Sequence, residues 1–350
     1  MNLESLISVI IPAYNRAHLL SATLHSLLSQ TLQAHEIIVV DDGSTDDTAE
    51  VAASFGPPVR VIRQKNAGPA AARNTGFRAS RGEFIHFFDS DDIALSNKHE
   101  VQLRALETSG ADIAYGPWVK GQITADAFMP ENLVLQQHGL PNGDLVKALL
   151  TNWSIVPHAC LFRRGIIEKV GGFPEHLFVA EDQLMFLKCL LAGAKVVHSP
   201  GTLELYRSDN AGKITDANEG KARHVRDWAR FLVKAASVCK EAGIDARSWF
   251  GFRRRVWEAR QDIRIHGIDL PELSEDLQRL LDGGPHPALY RLVREFQRKR
   301  LGLFARMGRG RAHPCFKAGR INQAQSAAFD RWKDSLVAKT PHFTCYHSDL

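Results

Sequence analysis

Nothing in this 350-residue chain approaches the roughly 18 consecutive apolar residues of a membrane-spanning helix, and the opening stretch MNLESLISVIIPAYN carries no basic leader. The expectation is a cytoplasmic protein. Cysteine is scarce: Cys160, Cys189, Cys239, Cys315 and Cys345 are an odd number, widely scattered and without a CxxC pair. That spacing disfavours a zinc site or a disulfide frame and leaves reduced thiols as structural fillers. No GxGxxG follows the first apolar run and no GxxxxGK[ST] occurs anywhere, so the two commonest phosphate-cradling loops are missing. Nucleic acid ranks last among partners, because no recognisable module or aromatic stacking motif accompanies the positive charge. What remains is ordinary globular composition, 44% hydrophobic and 24% charged, enough for one large domain or two smaller ones.

The net charge of +5 hides an asymmetry. Residues 1–220 carry 18 Lys and Arg against 25 Asp and Glu, net −7, whereas residues 221–320 carry 23 against 11, net +12. The shift falls near NAGKITDANEGKARHVRDW and marks the candidate boundary between residues 1–220 and a basic, helical 221–350.

Within the first part, strand-like runs alternate with helical patterns. SVIIPAY (Ser8–Tyr14) precedes Leu20, Leu24, Leu27 and Leu28 at helical spacing, and EIIVV then ends at Asp41 and Asp42. Ser44 is placed to cap a helix whose first turn carries Asp46 and Asp47. PVRVIRQ reads as a third strand, GPAAARNTGFRAS as a small-residue helix and GEFIHFF as a fourth strand. The order implies an α/β fold, a mostly parallel sheet flanked by helices, with ligands bound outside the carboxyl ends of its strands.

The fourth strand ends in FFDSDD, which sets Asp89, Asp91 and Asp92 within four positions. Burying such carboxylates unpaired costs several kcal/mol each, so a positive partner is expected nearby. A hard cation such as Mg²⁺ or Mn²⁺ takes oxygen ligands and commonly bridges carboxylates to substrate phosphates. Taken alone, the cluster reads rather as a solvated turn capping the next helix.

Four stretches in order decide between these: SVIIPAYNR, IIVVDDGSTDDT, NAGPAAARNTGFRASRGEFIHFFDSDD, and CLFRRGIIEKVGGFPEHLFVAEDQLMFLKCLLAGAKVVHSPGTLELYR. Together they span roughly residues 7–210. In them the chain resembles the family 2 glycosyltransferases, inverting enzymes with a nucleotide-diphosphosugar transferase, or GT-A-type, fold. The resemblance implies a nucleotide-binding part over about 1–115 and an acceptor part over about 116–220. It implies a base pocket lined by Pro12, Tyr14 and Asp42, flanked by Ala13 and Asn15, with Asn66 also on the donor side. Tyr14 would stack on the base and Asp42 would accept its hydrogen bonds. Arg73 would approach the diphosphate, Asp89 and Ser90 the ribose and phosphates, and Asp91 would ligate Mn²⁺ or Mg²⁺. Asp92 would stand behind them or cap a helix near Asn97–Leu106.

Direct displacement also needs a base opposite the leaving group. The resemblance places it at Asp182, with Glu181 as an acceptor contact or a support; on position alone helix capping is the better account of both acids. Gly171 and Gly172 read as a tight turn into the site, with Phe173 as a wall for the sugar. Trp153 and His158 fall where relatives shape recognition, though core or rim positions suit them as well. Many relatives carry a His shortly after the strand ending in YR; here Asp209 stands near that place, with Arg207 and Lys213 as alternative neutralisers of the diphosphate. His198, ending an apolar run, reads as structural.

The implied function is transfer of a sugar, UDP-linked by family expectation, to a hydroxyl of a bacterial surface glycan or lipid-linked intermediate. A sugar-phosphate nucleotidyltransferase and a catalytically silent nucleotide-sugar or glycan-binding module are the rivals. In the basic rear, Val225, Trp228, Phe231, Leu232 and Ala235 form one helical stripe, and Phe252, Val256 and Ile263 another. PELSEDLQRLLDGG and ALYRLVREFQRKRLGLFARMGRGR add two more helices, which suit either a solvated helical subdomain or peripheral contact with an anionic membrane.

Overall fold

The computed structural model describes residues 6–123, 128–208, 218–306 and 313–339. The chain begins β1 (Ile7–Ala13), α1 (Ala17–Leu28), β2 (Glu36–Asp41), α2 (Thr48–Ala53), β3 (Val59–Arg63), α3 (Pro69–Ala79) and β4 (Phe84–Phe87). It continues through β5 (Ile93–Ala94), α4 (Lys98–Ser109), β6 (Ile113–Tyr115), β7 (Trp118–Ile123), β8 (Phe128–Leu135) and α5 (Leu145–Thr151). Next come β9 (Cys160–Arg163), α6 (Arg164–Val170), α7 (Glu181–Leu191), β10 (Val196–His198) and β11 (Glu204–Arg207). Helices α8 (Asn218–Glu241), α9 (Phe250–Ile265), α10 (Pro271–Leu281), α11 (Pro287–Arg306) and α12 (Gln323–Lys339) follow.

Seven strands form one sheet in the order β10-β6-β9-β4-β1-β2-β3, with β9 antiparallel to both neighbours and the other pairs parallel. Strands β1 and β2 are apolar almost throughout because helices cover both faces. Ile7, Val9 and Ile11 share a core with Leu20, Leu24 and Leu27 of α1 and Leu103 and Leu106 of α4. Ile10 points the other way, into a cluster with Phe87, Trp153 and Leu184. The small residues of α3 let it ride close to the sheet: a Cβ on Gly76 would lie 2.4 Å from the Ile10 side chain.

A second, four-stranded sheet, β5-β11-β7-β8, was not anticipated from sequence. It starts directly after the acidic cluster, where Ile93 and Ala94 pair antiparallel with Leu205 and Glu204 of β11. Beneath it the fully buried Lys98 of α4 pairs with Glu204 and donates to Gln102 Oε1 at 2.6 Å. Helix α12, which no sequence pattern suggested, seals this sheet by placing Phe329 and Trp332 against Ile93, Val119, Val134 and Leu205.

Two local expectations change. Ser44 does not cap α2; its hydroxyl accepts from Asn15 N at 2.9 Å, while Asp46 Oδ1 accepts from Thr48 N at 3.1 Å. Asp92 does not cap α4, whose Asn97 cap residue makes no side-chain cap bond. Gly171 and Gly172 do adopt the left-handed conformations expected, at φ +78° and +74°.

The charge shift near residue 220 is not a break in packing. Phe231, Phe252 and Leu277 of α8, α9 and α10 share one continuous core with Phe87, Trp153 and Leu184. Two arginines of the basic rear are internal struts: Arg254 donates to Asn152 Oδ1 at 3.0 Å and Arg255 to Leu149 O at 2.7 Å, fastening α9 to α5.

Because Phe329 is 1% exposed against the second sheet, Phe329→Ala is expected to lower unfolding free energy by about 3 kcal/mol, readable as a shifted urea midpoint. An unshifted midpoint would mean α12 does not seal that sheet.

Candidate active site

The carboxyl ends of β1, β2 and β4, the start of α7, the end of β11 and the flank of α8 surround a cavity of about 810 Å³. Of the residues singled out from sequence, Pro12, Ala13, Tyr14, Asp42, Asn66, Arg73, Asp89, Ser90, Asp91, Glu181 and Asp182 all line it. Asn15 does not. At φ +52° it turns away, and its Oδ1 accepts from Thr45 N at 2.8 Å, so it braces the loop after β2.

The positive partners of the acidic cluster are protein side chains, in addition to any cation. Arg73, buried in α3, donates from Nη2 to Asp89 Oδ1 at 2.8 Å and from Nη1 to Glu181 Oε1 at 2.7 Å. Its guanidinium lies 5.2 Å above the Phe173 ring. Arg73 therefore joins the acidic cluster to the Glu181–Asp182 pair, and both its carboxylate-facing nitrogens are engaged within the protein. His158 sets Nδ1 3.0 Å from Asp92 Oδ2 and 3.5 Å from Asp89 Oδ2, in a bent, charge-paired contact. Arg16 Nε lies 3.6 Å from Asp91 Oδ2. Arg207 donates its backbone N–H to Asp92 Oδ1 at 2.9 Å and its Nε to Asp91 O at 3.0 Å.

These contacts set the charges. Burial opposes a proton on His158, yet Asp92 and Asp89 outweigh it and hold the imidazole protonated up to about 10. Burial pushes Asp89 up, but Arg73 and His158 prevail and keep it well below the usual carboxylate range. In Glu181, burial and the Asp182 charge win over Arg73 and lift the carboxyl to about 7. Burial likewise raises Asp182, against the pull of Arg73 and of Gln183, whose N and Nε2 donate to it at 2.7 and 3.0 Å. Ala180, in the left-handed region at φ +64°, turns the chain so that both acids open α7 at the cavity wall.

Two sequence expectations are corrected here, at Phe173 and Trp153. Asp42 lines the cavity, but its carboxylate already accepts from Gln64 Nε2, Ala67 N and Gly68 N at 2.7, 2.9 and 2.8 Å, leaving about one acceptor site. Phe173 is no sugar wall: 3% exposed, it packs edge-on against Phe87 at 4.8 Å beneath Arg73. Asn74 pins it there by accepting from Phe173 N at 2.8 Å and donating to Phe173 O at 2.9 Å. Trp153 is core, 1% exposed, its Nε1 donating to Gln136 Oε1 at 2.8 Å. His198 is structural as expected, with Nε2 2.6 Å from Gln136 O. Asp209 and Lys213 lie outside the described residues.

Sequence reasoning missed Arg16, Phe178, Arg223 and His224 in the cavity lining, and took Trp228 as core although it also reaches the cavity. Arg16 stood in the quoted SVIIPAYNR, and its place just past a strand tip was the available signal. The α8 residues gave none, because their placement depends on tertiary docking.

Among the described residues, Asp89, Asp92 and His158 bring potential ligand atoms within 4.8 Å of one another. A protonated His158 is a cation rather than a ligand, and Asp92 is taken up by His158 and Arg207. At the cavity surface Asp89 and Asp91 expose 26% and 18% of their side chains. Such a donor set fits a hard divalent cation.

The sequence model of the family described as Glycosyl transferase family 2 matches residues 8–171. Glycosyltransferase GlyG of Streptococcus pneumoniae is 30% identical over 295 residues, covering 79% of this chain and 94% of that one. The Escherichia coli protein named UDP-Glc:alpha-D-GlcNAc-diphosphoundecaprenol beta-1,3-glucosyltransferase WfgD is 33% identical over 146 residues, 39% of this chain and 58% of that one. Among solved structures, S. aureus TarS 1–349 in complex with UDP-GlcNAc superposes with a TM-score of 0.61 at 19% identity, covering 95% of this chain and 92% of that one. The fold is of the GT-A type, with additional C-terminal helices. The chain belongs to glycosyltransferase family 2.

Glu181 binds its proton more tightly in the folded chain, at about 7, than at its ordinary 4.5. The stability this contributes is complete below about pH 4.5 and is lost as pH rises through 7. Glu181→Gln is expected to flatten that fall in unfolding free energy between pH 4.5 and 7, and an unchanged slope would show that Glu181 is ionised throughout.

Proposed function

We propose that this chain is a metal-dependent, inverting glycosyltransferase. It moves a sugar from a nucleoside-diphosphate donor, UDP-linked, to an acceptor hydroxyl in the synthesis of bacterial surface polysaccharide or glycolipid. The observation that carries the reading is the Asp89–Arg73–Glu181 bridge, which puts the acidic cluster and a pair of basic carboxylates on one cavity. The names of WfgD and of the TarS complex, with their UDP-linked sugars, support the choice of donor.

The base of the nucleotide lies between Pro12, Ala13 and Tyr14, with Tyr14, 46% exposed, stacking on it and Asp42 offering its last acceptor site. Asn66 and Ser90 also line the cavity. Asp91 and Asp89 would hold a divalent cation, which would neutralise the diphosphate. Asp182, made more basic by burial, accepts the acceptor hydroxyl's proton as the oxygen attacks the anomeric carbon opposite the leaving group. Glu181, fixed by Arg73, raises the basicity of that pair and contacts the acceptor. Residues 1–115 then serve the nucleotide and 116–220 the acceptor, while α8 from the basic 221–350 region adds Arg223, His224 and Trp228 to the wall.

Asp182→Asn is expected to bind UDP as the parent does while losing about 10²–10⁴-fold in turnover, measured by calorimetry and by UDP release. Turnover within a few-fold of the parent would place the base elsewhere. Asp91→Asn is expected to abolish the tightening of UDP binding by Mn²⁺; tightening that persists would remove Asp91 as the ligand.

A further inference from the structure

One face of helix α11 packs against α9. Tyr290, 1% exposed, packs its ring against Trp257 and Phe250 at 6.2 and 5.2 Å, and Arg294 Nε reaches Glu258 Oε1 at 3.7 Å. Away from that face, Leu289, Leu292 and Phe296 are 42%, 64% and 65% exposed. These are three of the seven exposed large apolar side chains among the described residues, gathered on a single helix. At about 100° per residue they fall within one narrow stripe, with Lys299 on one side of it and Arg300 on the other. Over Pro287–Arg306 the helix carries six Arg and Lys, at 291, 294, 298, 299, 300 and 306, against the single acid Glu295.

We propose that α11 lies flat on an anionic lipid surface, with Leu289, Leu292 and Phe296 entering the headgroup boundary and the flanking Arg and Lys meeting lipid phosphates. An apolar ridge edged by cations matches that surface in both chemistry and charge. No described helix is long and apolar enough to cross a membrane, so the contact is peripheral. A water-facing helix has no need of an exposed Phe and two Leu in register. A second copy of the chain meets the ridge with the same excess of positive charge, which repels. The proposal stands independently of which sugar is transferred, because none of the described residues of α11 lines the cavity.

The test is flotation of the full chain with vesicles of phosphatidylcholine alone or mixed equally with phosphatidylglycerol. Binding to the mixed vesicles is expected, weakening with added salt and absent with phosphatidylcholine alone. Leu292→Ser with Phe296→Ser should weaken binding at least tenfold, and Lys299→Gln about fivefold. Both variants should keep the parent melting temperature and the parent rate of donor hydrolysis. Failure of the parent to bind mixed vesicles, or equal binding by the apolar double variant, overturns the proposal. So does a parent dimer in light scattering that the double variant converts to monomer without any vesicle binding, since the ridge would then cover a second copy.

Discussion

A buried guanidinium between two carboxylates holds this site together. Arg73 reaches Asp89 at the end of β4 and Glu181 at the start of α7, two acids separated by most of a hundred residues of chain. Removing one member of such a buried set leaves the others charged and unpaired, at a cost of about 3–5 kcal/mol. The next residue, Asn74, clasps the backbone of Phe173, whose ring supports Arg73 from below. One turn of α3 thus fixes both the acidic loop and the turn that leads into α7. Its position is in turn fixed by Gly76, which lets the helix settle against β1.

The same principle extends across the cluster. Asp89, Asp91 and Asp92 each have their own cationic neighbour, in Arg73, Arg16 and His158. Like charges so close together would repel unless each were separately neutralised, so the loop is ordered by protein cations and then presents Asp89 and Asp91 to the cavity. The second sheet makes this durable. Strand β5 follows the loop by one residue, and β11 delivers the Arg207 backbone to Asp92. Beneath it the Lys98–Glu204 pair, both fully buried, ties α4 to β11 and prevents that sheet from sliding.

The α/β class was legible in local signals, apolar runs ending in polar residues and acids at strand and helix ends, and half of the cavity lining in the four stretches that resemble the family. Tyr14, Asp42, Asp89, Asp91 and Asp182 all lie where a strand or helix meets the cavity. What escaped depends on partners distant in sequence. Nothing near Phe173 indicates that Asn74 will seize its backbone and turn its ring inward. Asp42 looks free until the loop at 64–68 folds over it. The second sheet was hidden because β5 has two residues and β11 four, too short for any periodicity to declare itself. Charge composition misled in a different way, since Arg254 and Arg255 are internal struts.

That last point bears on how the two ends of the chain cooperate. Asp227 of α8 accepts from Phe178 N at 3.1 Å, and Arg223 lies 4.7 Å over the Phe178 ring, so α8 grips the segment leading to Ala180. Arg255 of α9 stacks 4.9 Å over Trp228 and donates to the backbone of α5, so α8 is itself clamped from behind. Ala180 holds a left-handed conformation that an alanine rarely adopts, at a cost of about 1–3 kcal/mol that only a rigid surround sustains. Helices α8 and α9 therefore act on the cavity through mechanics: they stiffen the loop that carries Glu181 and Asp182, and Arg73 locks that loop to the acidic cluster from the other side.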